Sequence, residues 1–438
     1  MNNDQLTTDN DQLPKGYKQT EVGVIPEDWD VCYLHQISKK ITDGEHATPK
    51  RTTEGYYLLS ARNIHDGRID LIDVDFVGVN EYQRIRKRCD PDAGDVLISC
   101  SGTIGRVAVL PAGLECVMVR SAALIKPDRS KTDGYFIQYV LQSRVGQIQI
   151  AQTLNQGAQA NLFINHIEGL KVPFPPLPEQ RSIAQALSEV DRLIAALEKA
   201  IAKKRAIKTA TMQQLLTGKK RLPGFGEGKG YQQTEIGVIP EDWDVKSLLE
   251  LSERITVGIA SAATHAYRTR GIPLIRNQNI KPNKLDDDDI LYISEEYELR
   301  FKNKRLQKGD LLTARTGYPG TTCIVPEEFE LAQSFTTLIT RPNHAKVDCQ
   351  FLSFFINSDS GQSFFEQNQI GGGQKNVNAG TLRNLLVPLP SLKEQRAIAT
   401  VLSDMDAEIA ALETRLAKTQ SIKQGMMQAL LTGRTRLV

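Results

Sequence analysis

Hydrophobic residues recur at a helical spacing in two long segments of the chain. In both segments they stand alternately four and three positions apart, a period of 3.5 residues that is typical of a coiled-coil seam. The two seams are Ile183, Leu187, Val190, Ile194, Leu197 and Ile201, and Ile398, Leu402, Met405, Ile409, Leu412 and Leu416. The spacing predicts a central helix over 178–217 and a C-terminal helix over 393–432.

The ends of both predicted helices carry residues that helix termini favour. Pro178 suits a first helical turn, and Ser391 with Glu394 forms an S-x-x-E capping box. Gly218 and Gly433 stand where a C-terminal cap belongs. At about 1.5 Å per residue, each helix would be roughly 60 Å long.

The segments upstream of each helix have the pattern of a mixed domain. Short apolar runs, among them YYLLSA, DVLIS, VAVLP and CVMV, are separated by glycine, aspartate and proline, which indicates strands and turns. A single helix is predicted within the first domain, over 135–154. We expect an α+β protein with mixed domains over 15–175 and 230–390, a tail over 1–14 and a linker over 218–229.

The two halves are copies of one another. GYKQTEVGVIPEDWDV at 16–31 recurs as GYQQTEIGVIPEDWDV at 230–245, with 14 of 16 positions identical. Later matches, such as GDVLISCSGTIG with GDLLTARTGYPG, keep an offset of 214 to 216 positions. Duplication of one ancestral half explains this colinearity. Between the matching islands, as at 66–90, the halves diverge, which indicates either two reading units with different specificities or drifting loops.

An apolar seam of this length needs a partner, and the obvious partner is its own copy. In an antiparallel pairing, the two domains would lie at opposite ends and be related by an approximate two-fold axis. The alternative is that each helix packs on its own domain. The first seam ends at Ile201, since Lys204 and Lys208 take the next expected positions.

The charge balance does not by itself identify a partner. The chain has 54 basic and 52 acidic side chains, a formal net charge of +2. A polyanion would therefore have to meet a local basic patch. Segment 199–221, with eight Lys or Arg and no acid, is either a strip that faces phosphates or another subunit, or an ordinary basic helix face.

The sequence also indicates the cellular compartment of the protein. It has no apolar run long enough to cross a bilayer and no signal-peptide pattern at its start. Its six cysteines form no C-x-x-C pair. We expect a cytoplasmic protein with buried free thiols and no membrane contact.

Signatures of catalysis are missing. The sequence has no N-P-P-Y loop of an amino-methyltransferase and no G-x-x-x-x-G-K-[ST] phosphate loop. Its six histidines show no metal-ligand spacing, and the acidic run 286–289 fits a solvated loop better than a cation site. PDAGDVL at 91–97 lacks the lysine of a nuclease carboxylate site. We expect no catalytic residue, metal or cofactor in this chain.

Polar clusters at the ends of apolar strands are the candidates for reading nucleic-acid bases, because Arg reads guanine and Asn or Gln reads adenine. The candidates are Ser60, Arg62, Asn63, Ser99, Ser101, Thr103, Gln159 and Asn161 in the first domain and Arg276, Asn277, Gln278, Thr313, Arg315, Thr316, Tyr318, Gln374, Lys375 and Asn376 in the second. The competing interpretation is hydrogen bonding within the fold, above all for Asn63 and Asn279, which recur in both halves.

These segments, in this order and twice over, resemble the specificity subunit of type I restriction–modification systems. The resemblance lies in T-E-[VI]-G-V-I-P-E-D-W, DGEHATP, SARNI, the GD-[VL]-L loops, EQR-x-I-A at the helix entry and LLTGKKRLPGF, and it covers about residues 15–438. The second half departs from it by having GIASAATHA in place of DGEHATP, so a role of Asp43, Glu45 or His46 need not transfer to that half.

The resemblance implies two target-recognition domains, each reading one half of a bipartite, asymmetric site in double-stranded DNA. It implies that the helices space the domains and dock two methyltransferase subunits, and that motor-nuclease restriction subunits join the complex. S-adenosylmethionine, ATP and Mg²⁺ are then expected in those partner subunits. Two alternatives stay open: a self-contained DNA-modifying enzyme, and a coiled-coil scaffold that binds no DNA.

Overall fold

The computed structural model describes residues 13–154, 161–261, 263–368 and 376–437. The chain divides into two compact units. Unit 1 comprises Met1–Glu198 together with Thr414–Val438, and unit 2 comprises Lys199–Glu413. Each unit therefore contains one of the two predicted domains, part of the helix that follows that domain, and the distal part of the other long helix.

Unit 1 is built on two four-stranded sheets. Its strands are β1 (Tyr17–Thr20), β2 (Gly23–Pro26), β3 (Asp30–Tyr33), β4 (Ser38–Asp43), β5 (Arg51–Thr52), β6 (Tyr56–Leu59), β7 (Ile64–His65), β8 (Arg68–Ile69), β9 (Asp75–Val77), β10 (Val96–Ser99), β11 (Val107–Val109), β12 (Cys116–Met118), β13 (Ala122–Pro127) and β14 (Lys171–Phe174). One sheet has the order β11-β10-β13-β4 and is antiparallel, and the other has the order β12-β6-β9-β5, in which β12 and β6 are parallel.

The central strand of unit 1 explains why its sequence is a continuous apolar run. In β10, Val96 and Ile98 belong to one hydrophobic core and Leu97 to another. Successive side chains of a strand point to opposite faces of the sheet, so this strand is buried on both sides. The first three residues of the strand, VLI, are therefore all apolar rather than alternating with polar residues.

The helices of unit 1 include one departure from the prediction. They are α1 (Leu34–Ile37), α2 (Val79–Arg86), α3 (Gly134–Gln142), α4 (Arg144–Leu154), α5 (Ile164–Glu168) and the first part of α6 (Leu177–Leu216). The single helix predicted over 135–154 is wrong, because Ser143 has an extended ψ of 165° and separates α3 from α4. At Gly146 a Cβ atom would stand 2.5 Å from the Val140 carbonyl oxygen, so only glycine permits the close approach of the two helices.

Unit 2 repeats this architecture. Its strands are β15 (Tyr231–Thr234), β16 (Gly237–Pro240), β17 (Asp244–Ser247), β18 (Ser252–Val257), β19 (Tyr267–Arg268), β20 (Ile272–Ile275), β21 (Ile280–Lys281), β22 (Lys284–Leu285), β23 (Leu291–Ile293), β24 (Leu311–Thr313), β25 (Thr322–Ile324), β26 (Gln333–Ser334), β27 (Leu338–Pro342) and β28 (Leu386–Leu389). Its helices are α7 (Glu295–Leu299), α8 (Cys349–Ile356), α9 (Asp359–Gln367), α10 (Ala379–Arg383) and α11 (Leu392–Leu430). The sheet orders β18-β27-β24-β25 and β19-β23-β20-β26 reproduce those of unit 1, and the predicted duplicated α+β fold is confirmed.

The two long helices pair in antiparallel fashion, as predicted. In unit 2, Lys204 Nζ lies 2.5 Å from Glu408 and Lys208 Nζ lies 2.5 Å from Asp406, so positions rise along α6 as they fall along α11. In unit 1, Lys423 Nζ lies 2.6 Å from Asp191. Half-exposed ion pairs of this kind contribute about 0–1 kcal/mol each, so they fix the direction while the apolar seam supplies most of the stability.

The seam serves two purposes along its length. All twelve of its side chains are buried or half-buried. However, Ile183 and Leu187 belong to the hydrophobic core of unit 1, and Ile398 and Leu402 to that of unit 2. The interpretation that each helix packs on its own domain therefore holds for the first two turns of the seam, and the coiled-coil interpretation holds for the rest.

A buried carboxylate marks the start of each long helix. In unit 1, Trp29 Nε1 donates to Glu179 Oε2 at 3.1 Å, and Arg436 donates to Glu179 at 2.5 Å and 2.8 Å. Arg436 also contacts Asp28. Unit 2 has the same cluster, formed by Trp243, Glu394, Arg221 and Asp242. Each domain is thus completed by an arginine that follows the helix of the other repeat.

Two further expectations bear on the setting of the protein. Within the described residues, no helix is long and apolar enough to span a membrane. All six cysteines are free; four are buried, while Cys32 and Cys349 are only partly buried. Burial raises the pKa of the Cys89, Cys100 and Cys116 thiols to about 12, so these thiols are inert at neutral pH.

Candidate nucleic-acid interface

The glycine loop between β10 and β11 has a fixed frame and an open tip. Ser99 is fully buried; its Oγ donates to the Thr103 carbonyl at 2.6 Å and accepts from the Arg106 amide at 2.9 Å. Gly102 adopts a φ of 70° with nothing within 4 Å of a Cβ atom built on it. The predicted candidates Ser101 and Thr103 stand on this open side, whereas Ser99 holds the loop together.

The matching loop of unit 2 has the same division. Thr313 is fully buried and its hydroxyl lies 2.8 Å from that of Thr322. Tyr318, in contrast, is 84% exposed at the loop tip. Ser99 and Thr313 therefore present no free group to a nucleic acid, because their hydroxyls are engaged inside the fold. The exposed Tyr318 remains a candidate.

Two asparagines hold the neighbouring loops rather than facing outward. Asn63 is 1% exposed; its Oδ1 accepts from the Ser60 amide and hydroxyl, and its Nδ2 donates to the Asp70 and Asp73 carbonyls. Asn279 makes the equivalent bonds with the Arg276 amide and with two carbonyls of the acidic run. The hydrogen bonds of both asparagines agree with the competing interpretation, in which these side chains serve the fold.

Three of the candidate polar side chains are paired with aspartates. Arg62 lies 3.1 Å from Asp75. In unit 2, Arg276 and Gln278 both donate to Asp289 Oδ2, at 2.9 Å and 3.0 Å. Asp289 adopts a φ of 56° in the left-handed region. The acidic run 286–289, for which the sequence favours a solvated loop, thus positions two of the candidate side chains through Asp289.

A cavity of about 460 Å³ opens beside the glycine loop of unit 1. It brings together Ser101 and Asn161, two candidates that lie 60 positions apart in sequence, and it is also lined by Asp43, His46 and Arg120. Asp43 is held by His46 Nε2 at 2.5 Å and by Arg88 at 2.6 Å. Burial works to raise the pKa of Asp43, but the hydrogen bonds from Arg88 and His46 outweigh it and hold this pKa below its ordinary value.

Unit 2 has a cavity of about 650 Å³ beside its own glycine loop. It is lined by the predicted candidates Arg276, Asn277, Gln278, Thr316 and Tyr318, so two clusters that are distant in sequence meet there. Asn277 fixes the arrangement, because its Oδ1 accepts from the Arg315 amide at 2.9 Å and its Nδ2 donates to Thr336 Oγ1 at 3.3 Å. Arg315 Nε in turn donates to the Val377 carbonyl.

The third pair of clusters is only partly described. Gln159, Gln374 and Lys375 lie outside the described residues. Asn161 lines the cavity of unit 1, and Asn376 is half-buried. Sequence reasoning missed Arg120 and Thr336, which line the two cavities. The signal was available, since Arg120 directly follows the apolar run CVMV, as the other candidates follow theirs.

The family model for the type I restriction modification DNA specificity domain matches twice, over 26–207 and 240–424. The chain is 28% identical to a putative type I restriction enzyme MjaX specificity subunit of Methanocaldococcus jannaschii, over 97% of both chains. It is 22% identical to the type I restriction enzyme EcoKI specificity subunit of Escherichia coli, over 94% of this chain and 90% of that one.

Solved structures show the same fold. A type I restriction–modification S subunit from M. genitalium superposes with a TM-score of 0.57 at 14% identity, over 92% of this chain and 96% of that one. A chain from a study of type I system assembly and conformational transition gives a TM-score of 0.54 at 16% identity, over 94% and 99%.

Proposed function

The chain belongs to the type I restriction–modification DNA specificity family, and we propose that each of its domains reads one half of a bipartite, asymmetric site in double-stranded DNA. One observation carries this proposal. The same two loops border a cavity in each unit, but they present Ser101 and Arg120 in one unit and Thr316 and Thr336 in the other. A common frame with different side chains is what two readers of different half-sites require.

In this proposal, the two long helices link the two recognition domains. α6 has 40 residues and α11 has 39, and each is continuous. Such helices set a fixed interval between the half-sites and offer a surface on which two methyltransferase subunits dock. The restriction complex then forms when motor-nuclease subunits join.

The chain directs chemistry that other subunits perform. As a member of this family it is a non-catalytic specificity subunit. S-adenosylmethionine is bound by the methyltransferase subunits and ATP with Mg²⁺ by the motor-nuclease subunits. The complex acts in the cytoplasm, where the DNA lies.

The test is co-expression of the chain with the methyltransferase subunit of its own system, followed by mapping of methylated adenines across the host genome in single-molecule reads. The expected result is methylation at one two-part sequence, and none from the chain alone. Methylation by the purified chain with S-adenosylmethionine would instead identify a self-contained enzyme. An assembled complex without any sequence preference would identify a protein-binding scaffold.

A further inference from the structure

Arg120 is an unpaired cation at the cavity of unit 1. It stands in the turn between β12 and β13, and its side chain is exposed. Nearby arginines are engaged, since Arg88 pairs with Asp43 and Arg84 with Glu45. Within the part of the chain that the structure describes, no carboxylate pairs with the Arg120 guanidinium. The group is therefore available to an outside acceptor.

The local charge favours an electron-rich ligand. The negative charge of Asp43 is neutralised by Arg88, and Glu45 is engaged by Arg84 and by the Ala47 amide. Arg120 is left as the uncompensated charge on the cavity wall. The neighbouring hydroxyl of Ser101 and amide of Asn161 offer both donors and acceptors.

The backbone that carries Arg120 is fixed on both sides. The Val119 amide donates to the Leu59 carbonyl at 3.0 Å, and the Arg120 amide donates to the Glu45 carbonyl at 3.0 Å. Gly44 permits this contact, because a Cβ atom there would stand 2.4 Å from the Met118 carbonyl oxygen. The rigid backbone thus fixes the point from which the Arg120 side chain reaches an outside ligand.

Unit 2 keeps this frame and changes the side chain. The Phe335 amide donates to the Ile275 carbonyl at 2.7 Å and the Thr336 amide to the Ile259 carbonyl at 2.9 Å, so Thr336 occupies the position of Arg120. The turn is one residue shorter, since Met118 and Ala123 are five positions apart and their counterparts Ser334 and Leu338 four.

The shorter turn places Thr336 in an unusual conformation. Thr336 has a φ of 54°, in the left-handed region that β-branched residues rarely adopt. Backbone strain of this kind concentrates at functional sites. The position thus differs between the units in both side chain and conformation.

We propose that Arg120 is a base-reading residue of the first domain and that it selects a guanine in the first half-site. This inference rests on the proposed function. Guanine presents its O6 and N7 acceptors in the major groove, and a guanidinium bonds both of them at once. Ser101 and Asn161 contact the same or an adjacent base pair. Threonine cannot make this pair of bonds, so the second domain reads something else at the equivalent place.

The experiment uses the full chain in complex with its methyltransferase subunits, acting on a DNA library randomised at both half-sites. Arg120→Ala should reduce methylation of the cognate sequence about 5- to 150-fold, the equivalent of about 1–3 kcal/mol for a bidentate base contact. The loss of preference should fall on one guanine of the first half-site. The second half-site should be unaffected.

Two variants control this experiment. Arg120→Lys keeps the charge and loses the planar fork, so it should lose the same guanine preference while retaining most non-specific affinity. If Arg120→Ala fails to fold, the guanine preference of Arg120→Lys alone tests whether Arg120 reads this base. Arg144→Ala removes another exposed arginine of the same domain, outside both the cavity and the divergent segment 66–90, and should leave the sequence preference unchanged.

The inference is overturned if both Arg120 variants keep the full preference at every position. It is also overturned if they weaken binding equally for all sequences with a reduced salt dependence, which identifies a phosphate contact. Failure of the proposed function looks different, because the wild-type complex itself would then show no two-part preference.

Discussion

At the residue scale, the arginine that follows each long helix balances a buried carboxylate. The side chain of Glu179 is 1% exposed and that of Glu394 is 2% exposed. A charge removed from water in this way is costly unless it is paired. Arg436 is 33% exposed and Arg221 only 12%, so water can replace the first arginine more readily than the second.

We expect Arg221→Ala to lower the free energy of unfolding by about 3–5 kcal/mol, the usual result of leaving a buried charge unpaired. Arg436→Ala should cost less, about 2–3 kcal/mol, because Arg436 is the more exposed arginine and water can take its place beside Glu179. Urea titrations followed by fluorescence measure this, since the chain has two tryptophans and each contacts one of these carboxylates.

Arg434→Ala is the matched control, because Arg434 is exposed and has no carboxylate partner among the described residues. Its unfolding curve should coincide with that of the wild type. Equal losses for Arg434→Ala and Arg436→Ala would contradict the role given to Glu179.

The same cluster makes stability depend on pH. The hydrogen bonds from Arg221 lower the pKa of Asp242 in the folded protein, while its unfolded value is about 3.9. The stabilisation is therefore fully present above about pH 4 and is lost as pH falls through the depressed folded pKa. In urea titrations below about pH 4, Asp242→Asn should show a flatter pH dependence than the wild type.

Asp244→Asn removes a neighbouring exposed carboxylate that accepts no side-chain hydrogen bond within the described ranges. It should keep the wild-type slope. A slope for Asp242→Asn as steep as that of the wild type would show that another carboxylate carries the acid sensitivity.

At the scale of the elements, the basic segment 199–221 has an intramolecular role. Lys204, Arg205 and Lys208 pair with Glu408, Glu413 and Asp406 of the antiparallel helix, and Arg221 pairs with Glu394 and Asp242. Half of the eight basic side chains are thus engaged within unit 2. Net charge along one helix could not reveal this, because the acidic partners of Lys204, Arg205 and Lys208 lie on the other long helix.

The paired helices predict how the target should respond to a change in their length. Four residues inserted near Ala195 in α6, with four opposite them near Thr419 in α11, add one turn, roughly 6 Å. Asp191 pairs with Lys423, which places position 419 opposite position 195. Since duplex DNA rises about 3.4 Å per base pair, the gap between half-sites should grow by about one or two base pairs.

Methylation mapping measures this gap, and both half-site sequences should stay the same. The control substitutes four existing residues near Ala195 and four near Thr419 without changing the length of either helix, and it should leave the gap unaltered. A longer helix pair with an unchanged gap would mean that the helices do not set the spacing.

The sequence predicted regular elements better than their interruptions. The two helix seams could be predicted because apolar side chains at a period of 3.5 residues are typical of paired helices. The break between α3 and α4 at Ser143 could not be predicted from sequence. It depends on the close contact of the two helices at Gly146, which local helix propensity does not encode. Likewise, the apolar character of Ile183 and Leu187 was evident, but not which surface they bury against.

The candidate site divides in the same way. Loops at strand ends were found from sequence, and two cavities lie there. The sequence did not predict which of the other candidate side chains are free to contact a ligand, because Ser99 and Arg62 take partners from residues brought near only by folding. Arg120 follows an apolar run in the sequence as the other candidates do, but only the structure shows that it has no carboxylate partner among the described residues.

At the scale of the whole molecule, duplication has produced two readers that can vary independently. Each unit has its own pair of sheets, hydrophobic cores and cavity. Exchanging 15–175 for the equivalent domain of another family member should change the first half-site and leave the second as it was. Methylation mapping of the hybrid measures both, and the reciprocal exchange of 230–390 is the control. Changes in both half-sites would show that the domains do not read separately.

Unit 1 is formed by two segments that are far apart in the chain, and this affects its folding during synthesis. Its early part is Met1–Glu198, but it also needs Thr414–Val438, whereas all of unit 2 lies between them. A ribosome adding about 5–20 residues per second takes roughly 10–40 s to cover the intervening stretch. Throughout that time Glu179 lacks its arginine partner, and the apolar surface that later packs against Leu430 and Leu431 is exposed to solvent. The half that is translated first is therefore the last to be finished, and a chain released early is left with an open N-terminal half.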